Sequence, residues 1–153
     1  MLTAQILETA TKIGHFHVYD GTMTFNRVAG MRAKDIKALG DVVYFMFVDG
    51  KLMKIGKAGG ANGFVGRAGT YNRGRLGDAT NNLIIDVMES LHKTEIEVFA
   101  FSVPRHTVQY DCPLTGQVLE VEVSIHKDIE KLYTDLYLME DWDNELPFCN
   151  QLS

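Results

Sequence analysis

The chain has 153 residues, 46% hydrophobic and 23% charged, with 20 acidic against 15 basic side chains for a formal charge of −5. Length and balance describe one soluble globular domain, able to bury about two-thirds of the surface its unfolded chain exposes. They exclude a membrane-spanning chain, since no apolar run approaches the ~18 residues a bilayer requires, and speak against a structural zinc site, since Cys112 and Cys149 lie far apart and form no CxxC pair.

Taken in order, residues 3–13 set Ile6, Leu7, Ala10 and Ile13 at helical spacing and predict a short helix. This opening segment carries Glu8 and no basic start, unlike a secretory leader. With no paired cysteines, a cytoplasmic, reducing compartment is expected. "HFHVYDGTMTFNRV" alternates around Asp20-Gly21 and predicts a hairpin, and "MRAKDIKAL" a brief helix ending at Gly40. "VVYFMFVDGKLMKIG" is two apolar strands joined at Asp49-Gly50.

A glycine-rich stretch follows, and then "TNNLIIDVMESLH", a helix with Leu83, Ile84, Val87, Met88 and Leu91 on one face and Thr80 or Asn81 as its cap. Residues 95–103 alternate as a strand, and residues 107–123 form a further hairpin turning at Pro113–Gly116. The last helix, about 124–139, gathers Ile129, Leu132, Tyr133, Leu136 and Tyr137 on one face with Ser124 as cap. The expected fold is α+β: a small mixed or antiparallel sheet flanked by helices.

Positive charge is unevenly spread. Residues 51–77 hold six basic residues (Lys51, Lys54, Lys57, Arg67, Arg73 and Arg75), eight glycines and no carboxylate. The glycines do not match the GxxxxGK[ST] phosphate loop, which argues against nucleotide binding. In the hairpin about Asp49-Gly50, Val48 pairs with Lys51 and Tyr44 falls near Ile55, bringing Lys54 close to the phenol. A lysine there favours the phenolate; the same spacing also fits a core tyrosine beside a solvated lysine. Arg67 and Tyr71 are one helical turn apart, and Glu130 borders the apolar stripe of the last helix, where a carboxylate is either a solvated boundary residue or a metal ligand. His15 and His17 share a strand face and permit a metal pair, with no third ligand evident.

In order and spacing these landmarks resemble the GIY-YIG nuclease superfamily. Val42-Val43-Tyr44 corresponds to the first triplet, Lys54-Ile55-Gly56 to the second, Arg67 and Tyr71 to the arginine and the aromatic that follow, and Glu130 in "HKDIEKLY" to the metal-binding glutamate. Within "PFCNQ", Gln151, or else Asn150, matches the terminal amide. Small type II restriction endonucleases with lysine in place of the second tyrosine are most similar, sharing also Gly50-Lys51, Asn72 and Lys127. Two departures stand out: Val42 replaces the leading glycine, and Lys57 stands where some relatives have histidine.

The resemblance implies a catalytic core over 42–151, preceded by an N-terminal extension of 1–41 and carrying an inserted hairpin. It implies a metal-dependent DNA endonuclease, site-specific in the restriction manner, acting on double-stranded DNA as a homodimer. Tyr44 would be the general base, made more acidic by Lys54; Arg67 would clamp the phosphate; Glu130 would hold one Mg²⁺ or Mn²⁺; Tyr71 and Gln151 would position phosphate or water. Lys51, Lys57, Asn72, Arg73 and Arg75 are the expected DNA contacts, and the acidic tail 140–145 is expected to face solvent or a partner. A non-catalytic nucleic-acid module and an acidic, DNA-mimicking inhibitor are the competing classes. The co-occurrence of Tyr44, Arg67 and Glu130 speaks against the first, and the basic stretch against the second.

Overall fold

A computed structural model of the chain describes residues 2–140 and 147–150. Helix α1 (Leu2–Thr9) is shorter than predicted, and strand β1 (Thr11–Tyr19) starts two residues later. Ile13, counted with the helix, belongs instead to the strand's buried set with Phe16 and Val18. The apolar spacing is ambiguous there because a register irregularity between Lys12 and Gly14 breaks the strand's alternation. Strand β2 (Thr22–Arg27) returns through Asp20 and Gly21, both at positive φ, as a tight antiparallel turn requires.

Helix α2 (Ala33–Lys37) stops before Gly40, and strands β3 (Val42–Val48) and β4 (Lys51–Ala58) form the second hairpin, its Asp49 and Gly50 again at positive φ. Then come α3 (Gly63–Tyr71), a 3-10 turn at Gly74–Leu76, α4 (Ala79–Leu91) and β5 (Glu95–Ser102). The paired strands β6 (His106–Asp111) and β7 (Val118–Val123) precede α5 (His126–Glu140).

The main sheet has five strands in the order β2-β1-β5-β3-β4, with antiparallel neighbours throughout. The first 41 residues, expected as an extension, thus supply two of its strands. One face packs Tyr44, Met46, Phe16 and Val98 against Phe64 and Tyr71 of α3 and Ile84 and Met88 of α4. The other packs Val43, Phe45, Phe47 and Phe99 under Leu2 and Ile6 of α1 and Ile129, Tyr133 and Tyr137 of α5. Every residue of β3 is buried, which explains its unbroken apolar sequence. The architecture is α+β, as expected. Among the described residues no helix is long and apolar enough to cross a membrane.

Two predicted caps are displaced. Asp78 caps α4, its carboxylate accepting from the Asn81 amide at 3.0 Å. Asn81 turns inward, fully buried, and its side-chain nitrogen donates to the carbonyls of Thr70 and Gly74 at 2.9 and 3.1 Å. It thereby ties α4 to the end of α3. The Ser124 hydroxyl donates to Asp41 at 2.8 Å rather than capping α5, whose first backbone bonds fall on the Ile125 carbonyl.

Register matters most in the β3–β4 pair. The chain bulges at Met53, between the pairs Met46–Lys54 and Phe47–Leu52, so Tyr44 faces Gly56 instead of Ile55. A side chain on Gly56 would fall on the Tyr44 ring and hydroxyl. Gly56→Ala should therefore destabilise the fold by about 1–3 kcal/mol, the usual cost of overpacking a core. Urea denaturation measures this, and an unchanged midpoint would mean that the ring does not need the glycine's space.

Candidate active site

Tyr44 comes from β3, beside the edge strand β4, and Tyr71 from the last turn of α3, both almost wholly buried. Their hydroxyls are 2.7 Å apart. Arg67, one turn before Tyr71, donates from Nε to the Tyr44 hydroxyl at 3.2 Å and from Nη2 to the Tyr71 hydroxyl at 3.3 Å. Its guanidinium carbon lies 4.5 Å from the Tyr71 ring centroid, and its Nη1 is 3.6 Å from Asp78. The four-residue spacing on α3 places both functional groups against one strand residue.

A cleft of about 290 Å³ opens on this group, lined by Tyr44, Lys54, Gly56, Lys57, Arg67 and Glu130. Glu130 arrives on α5 from the opposite face of the sheet, so helices of both layers meet over β4. An adjoining hollow of about 370 Å³ shares Arg67 and is lined by Gly59, Asn62, Gly63, Gly66 and Thr70.

Burial controls the electrostatics. It pushes the Tyr44 hydroxyl above its ordinary value, opposed by the Arg67 charge and by the hydrogen bonds of Tyr71 and Arg67, while Glu130 adds to the rise. Tyr71 is raised strongly, first by burial and then by Tyr44. The cation bonded to the Tyr44 hydroxyl is Arg67; Lys54, opposite Met46 and so on the same face as Tyr44, lines the same cleft. Lys54 is itself buried, and desolvation lowers its ammonium, with Arg67 pushing the same way and Glu130 opposing. Burial raises the Glu130 carboxyl, countered by Lys54, Lys57, His126 and Arg67 in that order. Glu130 is the anion facing this set of cations.

A hard divalent cation is held by one or two carboxylates completed by water and substrate phosphate. Glu130 at the cleft supplies one carboxylate, so the donor set fits Mg²⁺ or Mn²⁺. Among the described residues no three potential ligands converge, so Glu130 would be the single side-chain ligand. His15 and His17 point outward together against Glu95, at 3.6 and 2.6 Å, away from this cleft.

The remaining predicted contacts scatter. Lys57 lines the cleft. Lys51 at the hairpin turn and Arg73 after α3 are exposed. Arg75 is drawn onto α4, its Nη2 2.8 Å from Asp86 and 3.1 Å from Glu89. Asn72 accepts from the Phe25 amide at 3.0 Å and borders a separate groove of about 550 Å³ between β2 and α3. Gln151 and the tail residues 141–146 lie outside the described residues. Asn150 is committed to β4: its side-chain oxygen accepts from the Ile55 amide at 2.9 Å and its nitrogen donates to the Ile55 carbonyl at 2.8 Å. Next to it, burial raises the Cys149 thiol to about 11.

The sequence reading missed Asp78, Asp41 and His126. His126 precedes Glu130 by one helical turn, a signal that was available. The partners of Asp41 are far along the chain, and no local pattern announces them.

Neither a protein-family model nor a curated protein sequence matches the chain. Solved structures with the same fold include two nucleases. The restriction endonuclease HPY188I in complex with product DNA aligns with TM-score 0.55 and 19% identity, over 97% of this chain and 84% of that one. A mutant of bacteriophage T4 EndoII aligns with TM-score 0.55 and 14% identity, over 89% of this chain and 94% of that one.

The two raised phenols imply an alkaline weakness. Unfolded tyrosines titrate near about 10, while the folded pair holds its protons above that value. Above this pH the unfolded chain releases protons that the folded one keeps, so stability falls as pH rises. Tyr71→Phe removes one of the two groups and should make that fall shallower, measured by urea unfolding between about pH 9 and 11. A slope equal to the parent's would show that Tyr71 ionises normally.

Proposed function

We propose that the chain is a metal-dependent DNA endonuclease of GIY-YIG type, acting as a site-specific restriction enzyme. The observation that carries this reading is the Tyr44 hydroxyl, bonded to Tyr71 and Arg67 and facing Glu130 across one cleft. A restriction endonuclease with the same fold has been solved with product DNA, which supports DNA as the substrate.

Hydrolysis needs a deprotonated water, neutralisation of charge on the pentacovalent phosphorus, and help for the departing 3′ oxygen. To act as base Tyr44 would first release its own phenol proton to solvent; the Arg67 Nε–H and the Tyr71 hydroxyl would then donate to the phenolate, which takes the proton from the attacking water. The Arg67 guanidinium also borders the adjoining hollow and meets the non-bridging oxygens as their negative charge grows. Lys54 and Lys57 add positive potential within the cleft and balance Glu130. Glu130 would hold the cation, which when bound would supply Lewis-acid stabilisation of the leaving oxygen.

The acidic net charge does not oppose DNA binding, because charges beyond about 8–10 Å are screened in physiological salt. Local cations decide. Lys51, Lys57, Arg67 and Arg73 carry the contact, whereas Arg75 is largely neutralised by α4.

Tyr44→Phe keeps the ring in its packing and removes the base. Cleavage of plasmid DNA with Mg²⁺ should fall by about two to four orders of magnitude. Glu130→Gln should abolish metal-dependent cleavage while DNA binding in low salt persists. Near-parental cutting by Tyr44→Phe would make the tyrosine core filling and end this reading.

Cutting both strands of a symmetric site calls for a twofold dimer, and the β6–β7 hairpin is the favoured contact. Every residue of its two strands is exposed. The cross-strand register puts Val108, Tyr110, Leu119, Val121 and Val123 on one face with His106, and Asp111, Glu120 and Glu122 on the other. The acidic face repels phosphate. The apolar face meets a second copy without like-charge cost, and a lone two-stranded ribbon is marginal in water. Changing Val108 and Val121 together to Glu should convert a dimer to monomer in sedimentation velocity with the fold retained. A parent chain that sediments as a monomer would remove this interface.

A further inference from the structure

Asp41 immediately precedes β3, three residues before Tyr44, and its side chain is only 1% exposed. Its carboxylate accepts hydrogen bonds from Arg105, Nε at 3.0 Å and Nη2 at 3.3 Å, and from the Ser124 hydroxyl at 2.8 Å. His126 Nδ1 lies 3.8 Å from the same carboxylate and, among the described residues, is buried without a hydrogen-bond partner. The backbone carbonyl of Asp41 accepts from the Val103 amide at 2.7 Å.

These partners have a common logic. Arg105 is the residue before β6 and Ser124 the residue after β7, so one carboxylate grips both feet of the hairpin. His126 is the first residue of α5, one turn ahead of Glu130 on the same helix side. Gly59, just past β4 and two residues from Lys57, packs against the same cluster. A Cβ there would sit 2.7 Å from Asp41 Oδ1 and 2.9 Å from His126 Nε2. The start of β3, the end of β4 and the first turn of α5 each carry one side of the cleft, and all three converge on Asp41.

We propose that Asp41 is the positioning residue for Glu130, holding the first turn of α5 and the backbone at Gly59 so that the glutamate faces the Tyr44–Arg67 pair. The assignment rests on the nuclease reading for its consequence, and on geometry alone for its existence. Asp41 touches no reacting atom. It acts through Ser124 and His126, as outer groups orient a metal-holding carboxylate. A buried carboxylate suits this task because the Arg105 fork and the Ser124 hydroxyl define its direction from two sides.

The test is Asp41→Asn in the full chain, which keeps size and removes charge. The half-saturating Mn²⁺ concentration for cleavage should rise about 10- to 100-fold, the usual penalty for losing such a group. DNA affinity measured without metal should stay within about twofold, because the Asp41 side chain is buried and bonds to Arg105 and Ser124, neither of them an expected phosphate contact. Independently of turnover, electron paramagnetic resonance should show weaker Mn²⁺ binding to a duplex complex of Tyr44→Phe/Asp41→Asn than of Tyr44→Phe alone. If circular dichroism shows that Asp41→Asn does not fold, Ser124→Ala and Gly59→Ala take its place and should shift Mn²⁺ dependence in the same direction. Equal Mn²⁺ affinity with and without the substitution, in folded protein, overturns the proposal. A parent chain that binds Mn²⁺ through Glu130 but leaves DNA uncut would sink the nuclease reading, while the resonance comparison still decides Asp41.

Discussion

A buried phenol cannot be left without hydrogen bonds, and the contact between the Tyr44 and Tyr71 hydroxyls at 2.7 Å answers that need inside the sheet–helix interface. Much of the neighbouring structure follows from accommodating it. Gly56 is opposite Tyr44 because any side chain would occupy the ring's place. The Met53 bulge provides the register that brings Gly56 there. Phe16 and Phe64 pack edge-on against the two rings, with centroids 5.3 Å from Tyr71 and 5.0 Å from Tyr44. One guanidinium satisfies both hydroxyls and leaves its far edge to Asp78 and the open cleft.

Burial has a chemical cost here as well as a structural use. It favours the protonated form of both phenols and disfavours the charged forms of Lys54 and Glu130. Three cations lie around one carboxylate in this cleft, an arrangement that on the proposed reading would answer a phosphodiester and a divalent ion together. Positive charge that looked continuous along residues 51–77 is apportioned differently in space. Arg67 is turned inward to two phenols, Arg75 is held by two carboxylates of α4, and Lys54 is buried. Asp78, Asp86 and Glu89 lie beyond the carboxylate-free stretch, yet the fold brings them back against it.

The layered arrangement explains why the cleft lies at β4. Helix α3 covers one face of the sheet and α5 the other, and only at an edge strand can groups from both meet. That edge would be open to pairing with another chain. Cys149 and Asn150 cover part of it, the Cys149 amide donating to the Met53 carbonyl at 2.7 Å and the Asn150 side chain taking both backbone groups of Ile55. The Asp41 cluster works on the opposite flank, joining the feet of the exposed hairpin to the first turn of α5.

By itself the sequence determined whatever is encoded within a few residues. Asp-Gly turns at 20–21 and 49–50 demand positive φ and specify two hairpins; alternation marks β5; the spacing of Ile129, Tyr133 and Tyr137 marks α5. The order of Tyr44, Lys54, Arg67, Tyr71 and Glu130 was also legible; Tyr44, Lys54, Arg67 and Glu130 line one cleft, and Tyr71 is buried against Tyr44 and Arg67. Tertiary structure alone decided where helix α1 yields to strand β1, because Ile13 satisfies either period and only pairing with β5 selects the strand. It decided that Arg67 bonds the Tyr44 hydroxyl, and that Lys54, through one bulged residue, falls on Tyr44's face opposite Met46. It also recruited Asp41, whose partners Arg105 and Ser124 are 64 and 83 residues away. Local patterns report backbone preference and periodicity; burial and through-space charge exist only once distant segments have been brought together.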